Sequence, residues 1–100
     1  MATLHVAFVK LTNDNAGVPS NVIEQVLLAA NVTISGSNAV TAVAPAGANA
    51  AIVWPVDAAC YVLGGSATPV ATAILGVYLG TGQQATFRIH PGWKIASITA

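Results

Sequence analysis

The chain has 100 residues, enough for one domain and too few for two. Its three basic and three acidic residues make up 6% of the sequence, against about 25% in an ordinary soluble domain, while 55% of the residues are hydrophobic and mean hydropathy is +0.72. Lys10, Arg88 and Lys94 are too dispersed to neutralise a run of phosphates, and no apolar run approaches the about 20 residues of a spanning helix, so nucleic acid and membrane are not expected partners.

Short apolar runs separated by turn residues follow one another along the chain, the pattern of an all-β domain. Residues 3–11 form a predicted strand with Leu4, Val6 and Phe8 on one face, and the Asn, Asp and Gly of residues 13–17 form a turn. Residues 21–30 are ambiguous. Val22, Ile23, Val26, Leu27 and Ala30 recur at helical spacing, and Asn21 with Glu24 resembles a capping box. A short helix is slightly favoured there, with a fully buried strand as the alternative. Residues 32–35 alternate as a strand, and Gly36, Ser37 and Asn38 turn. Residues 39–43 are a further candidate strand, and residues 45–49 a loop.

Residues 50–55 and 59–63 look like a hairpin around Val56, Asp57 and Ala58. Residues 70–79 are apolar and of strand length, bent or broken at Gly76. Gly80, Thr81 and Gly82 turn into a strand at residues 85–90, and Pro91-Gly92 turns again into a strand at residues 93–99. Turn signals every 8–12 residues or so are what sandwiches and barrels show. The expected architecture is therefore a single β domain over residues 1–100, an antiparallel β-sandwich or jelly-roll-like barrel with one short helix near residues 21–30 as an option.

The carboxy-terminal half carries Asp57-Ala58-Ala59-Cys60-Tyr61-Val62-Leu63-Gly64-Gly65, then Gly82-Gln83-Gln84-Ala85-Thr86-Phe87-Arg88-Ile89-His90-Pro91-Gly92 and Trp93-Lys94-Ile95-Ala96-Ser97-Ile98. This stretch resembles small virion structural proteins of tailed bacteriophages, of the head decoration or cement type. The resemblance implies a strand with an aromatic on one face and a hairpin closing on an apolar final strand. It also implies an oligomer, a trimer by preference, bound to the major capsid protein on the virion surface. It offers no catalytic residue.

No constellation for chemistry stands out. Gly80-Thr81-Gly82-Gln83-Gln84-Ala85 has the letters of a dinucleotide loop, but no acidic residue follows Asp57 to hold a ribose and Pro91-Gly92 leaves no room for the helix. His5 and His90 lie far apart with no carboxylate at ligand spacing, so no metal is expected. Asp14 and Asp57 sit in turn-like sequence, and Glu24 reads as a cap or an exposed residue. Cys60, the single cysteine, lies in an apolar stretch and reads as a buried thiol. Asn31-Val32-Thr33 matches a glycosylation acceptor, but the amino terminus lacks the basic and apolar regions of a secretory signal.

So little charge points to a surface covered by neighbours, since lasting interfaces are apolar and depleted in ions. Aromatics are the candidate contact residues. Trp54 before Pro55, Trp93 after a turn, and Tyr78 are the three singled out. The expected function is non-enzymatic and cofactor-free: an oligomeric capsid decoration subunit, with a receptor- or carbohydrate-binding module of a tail or fibre as the alternative.

Overall fold

The computed structural model describes residues 2–12, 22–66 and 69–100. Its strands are β1 (Ala2–Thr12), β2 (Val22–Ile34), β3 (Ala39–Val40), β4 (Ala50–Pro55), β5 (Cys60–Gly65), β6 (Val77–Leu79), β7 (Ala85–Arg88) and β8 (Lys94–Thr99). They form two four-stranded sheets, ordered β2-β1-β4-β7 and β3-β8-β5-β6, with every pairing antiparallel. The protein is a β-sandwich whose sheets stay open; they do not close into a barrel.

Alternation explains the interior. Leu4, Val6 and Phe8 share one face of β1, pointing the same way as Val53 of β4, and all four are fully buried. The second sheet contributes Cys60, Val62, Leu79 and Ile95 from the other side, and Ile89 joins them from the crossing after β7. These side chains form one continuous core between the sheets.

The helical option at residues 21–30 is corrected: residues 22–30 are the first part of β2. Its ladder with β1 pairs Phe8 with Leu28 but Val9 with Val26, and Lys10 with Gln25 but Leu11 with Ile23. Leu27 and Glu24 are thus extra residues, each a β-bulge. Each bulge stretches the spacing of one face from two residues to three, so Ile23, Val26 and Ala29 stand opposite Leu11, Val9 and Ala7. Two bulges in a strand imitate the periodicity of a helix.

Both expected hairpins in the second half are corrected as well. β4 and β5 lie in different sheets, and residues 56–59 carry the chain across the sandwich. The crossing is anchored to β1, where Val56 N–H donates to the Thr3 carbonyl at 2.9 Å and Thr3 N–H donates to Asp57 Oδ1 at 2.7 Å. β7 and β8 are likewise split, β7 beside β4 and β8 between β3 and β5. The Ile89 N–H reaches the Asn49 carbonyl at 3.1 Å before residues 90–93 turn over to the other sheet.

Two expected strands are shorter than their apolar runs. β3 stops at Val40 because the Thr41 hydroxyl, rather than a ladder carbonyl, accepts the Ile95 N–H at 3.1 Å. Only Val77–Leu79 of residues 70–79 is strand. Residues 69–76 form a strap on the outer face of the second sheet, tied down by Asn38, whose side chain accepts from Ala71 N–H at 2.8 Å and donates to the Pro69 carbonyl at 3.1 Å. Gly76 is required at the end of the strap: a Cβ there would lie 2.7 Å from both the Thr72 carbonyl oxygen and Tyr61 Cβ. The expected turn at residues 13–17 and the Asn21 cap lie outside the described residues.

Candidate functional site

Residues with chemical potential are dispersed and engaged in structure. Among the described residues no three His, Cys, Asp or Glu side chains come together as a metal site. His5 stands on the outer face of the first sheet, its Nδ1 3.0 Å from Asn31 Oδ1 and its ring 4.3 Å from that of Trp54. The Asn31 of the glycosylation pattern is the same residue. His90 lies elsewhere, edge-on to Trp93 at 4.9 Å. Asp57 holds the Thr3 amide, while Asp14 and the side chain of Glu24 lie outside the described residues.

Cys60 is fully buried in the core, and desolvation pushes its thiol pKa above the usual value, which favours the neutral, unreactive form. The glycine loop after β6 is a turn. Gly82 adopts φ 79°, the Gln83 N–H donates to the Gly80 carbonyl at 2.9 Å, and the chain runs on into strand β7 rather than into a helix. A cleft of about 480 Å³ lies between Leu11, Asn49, Arg88 and His90. Its Asn49 carboxamide is already used, accepting from Leu11 N–H at 2.8 Å and donating to the Leu11 carbonyl at 3.0 Å. That pairing prolongs the β1–β4 ladder beyond Ala50.

The three aromatics expected to make contacts stand apart. Trp54 is half-buried against His5 on the outer face of the first sheet. Trp93 is half-buried at the start of β8 and packs on the core. Tyr78 lies on β6, 55% exposed, edge-on to Tyr61 at 5.7 Å.

The exposed apolar surface gathers mainly in two places. One is the strap with β6, where Ile74 is 91% exposed, Leu75 66%, and Val70, Val77 and Tyr78 about half. The other is the outer half of β2, where Ile23 and Val26 are exposed on the outer face of the sheet and Leu28, opposite Phe8, on the inner one. There β1 has lost its β4 partner, whose ladder ends at the Val9–Ala50 pair. Sequence reasoning singled out Tyr78 and missed the rest, because an apolar run of strand length reads as core. The signal that was present is Thr72, whose hydroxyl accepts the Leu75 N–H at 3.0 Å and turns the chain outward.

Among the described residues β2 and β6 are also edge strands, each paired on one side only. Natural edges are commonly guarded by Lys, Pro or bulges. β6 has none of these, and β2 has bulges but neither Lys nor Pro. Among the described residues no helix is long and apolar enough to cross a membrane. No protein-family model, curated protein or solved structure matches this chain.

Proposed function

We propose that this chain is a non-enzymatic structural subunit that works by adhesion, as an oligomeric decoration or cement subunit on the head of a tailed phage. The observation that carries the reading is the exposure of large apolar side chains, from Ile23 to Tyr78, on a chain with only six charged residues. Removing apolar surface from water is worth about 25 cal/mol per Å², less the cost of association. Contacts of this kind depend little on ionic strength, since few ions are there to be screened. The virion setting draws on the sequence resemblance at residues 57–65 and 82–98, and names the chain itself and the major capsid protein as partners.

Mass spectrometry of purified particles tests the reading. The expected result is this chain in a fixed copy number relative to the major capsid protein, retained through a high-salt wash. Particles that lack it, or lose it completely in salt, overturn the proposal.

One observation favours the second reading, a carbohydrate-binding module. Trp54 offers an aromatic surface beside the hydrogen-bonding groups of His5 and Asn31. The strand order does not choose between the two. Taken cyclically from β2, it follows the double Greek key of jelly rolls, an architecture that capsid and lectin domains share. A glycan array with hits that Trp54→Ala abolishes selects the second reading; an empty array removes it.

A further inference from the structure

We propose that copies of this chain associate head to tail, the strap and β6 edge of one copy seated on the outer half of β2 in the next. The inference rests on the adhesion reading and names the first surface it acts on. The sheet orders place the two patches on opposite flanks. β2 ends the first sheet on the side where it lies over β3 and β8, and β6 ends the second sheet on the other side. Neither patch can therefore cover the other within one molecule.

The two patches suit one another. Each combines apolar side chains with a strand whose outer backbone groups have no ladder partner among the described residues, so the contact joins side-chain burial to strand addition. Neither β6 nor the strap carries a charged residue, and β2 carries only Glu24. A two-fold contact uses a single patch against its own copy and leaves the other in water. A heterologous contact covers both patches with one kind of interface, and closes into a ring when the rotation between copies permits.

The areas agree. Val70, Ile74, Leu75, Val77 and Tyr78 expose on the order of 500 Å², and Ile23 and Val26, which share the outer face of β2, on the order of 180 Å², judged from their exposure and ordinary side-chain areas. One such contact removes about 680 Å² of apolar surface. The smallest stable interfaces bury about 1,200 Å² in total, of which about 60% is apolar.

The test uses two variants, Leu75→Lys on the strap and Val26→Lys on β2, both at exposed positions. Sedimentation of the wild-type chain is expected to give a multiple of 10 kDa. Each variant alone is expected at 10 kDa, and their equimolar mixture at twice that mass, because each retains the one intact patch the other needs. Far-UV circular dichroism checks that each variant is folded, and Ile74→Lys or Ile23→Lys replaces one that is not. If one variant stays assembled while the other is monomeric, the contact is two-fold and the proposal fails. It fails equally if the mixture stays at the monomer mass. A wild-type chain that is monomeric at every concentration yet present on particles sinks the head-to-tail contact alone. Absence from particles sinks the adhesion reading.

Discussion

Phe8 on β1 and Ile74 on the strap are both large and apolar, yet Phe8 has no surface left in water and Ile74 keeps 91% of its own. Phe8 lies on a strand paired on both sides, beneath a second sheet that contributes Val62, Leu79 and Ile95. Ile74 lies on the turn of the strap that leads into β6, the last strand of that second sheet. Hydropathy is the same in both places. What separates them is the number of directions from which other strands arrive, and under the proposal the flank left apolar is where a partner binds.

Four substitutions and a pH titration can break or sharpen that contrast. Phe8→Ala has the largest expected effect, a loss of about 3–5 kcal/mol in unfolding free energy, which is much of the about 5–15 kcal/mol a domain possesses. Urea denaturation measures it, and a loss below about 1 kcal/mol contradicts the proposed core. Gly76→Ala comes next. The new methyl meets the Thr72 carbonyl and Tyr61 Cβ, so overpacking of about 1–3 kcal/mol is expected, with the strap the first segment to loosen. Proteolysis within residues 69–76 reads this separately from global unfolding.

Cys60 gives a pH signature. Its pKa is raised in the folded protein by burial. Above the unfolded value of about 8.5 the unfolded chain releases its thiol proton while the folded chain keeps it, so unfolding is favoured as pH rises. The loss is expected to approach about 1.4 kcal/mol per pH unit until the folded thiol itself ionises. Below pH 8 this contribution is complete, and Cys60→Ala removes the slope. A slope that survives Cys60→Ala assigns it to another group.

Ser97 is a smaller case. Its hydroxyl is buried with no hydrogen-bond partner among the described residues, so Ser97→Ala is expected to be neutral or to stabilise by up to about 1 kcal/mol. Destabilisation beyond that reveals a bond to the hydroxyl. Ile74→Ser has the smallest expected effect, within about 0.5 kcal/mol in the dilute chain, against a clear loss of self-association by light scattering. Equal losses of stability and association place Ile74 in the core instead.

How far the sequence could be read follows the same division. The alternation of Leu4, Val6 and Phe8 shows β1 directly, because a period of two admits no other regular structure. The turn residues around Asp57, Gly82 and Pro91 mark where strands end. They do not say which sheet the chain enters next, and so β4 and β5, and then β7 and β8, resemble hairpins although each pair is split between the sheets. The bulges at Glu24 and Leu27 hide β2 behind a spacing of three. Exposed apolar residues such as Ile74 and Leu75 are the least legible, since the same letters serve for a core and for an interface. Only tertiary position distinguishes them.

Hydrogen exchange followed by mass spectrometry, on dilute and concentrated samples of the wild-type chain, tests the proposed contact between the flanks most directly. Amides of residues 70–79 and 23–28 are expected to slow markedly on concentration, while those paired across β1 and β4 exchange at the same slow rate in both samples. If residues 70–79 exchange alike at every concentration and the mass remains 10 kDa, these flanks do not bind one another and the claim of self-association is contradicted.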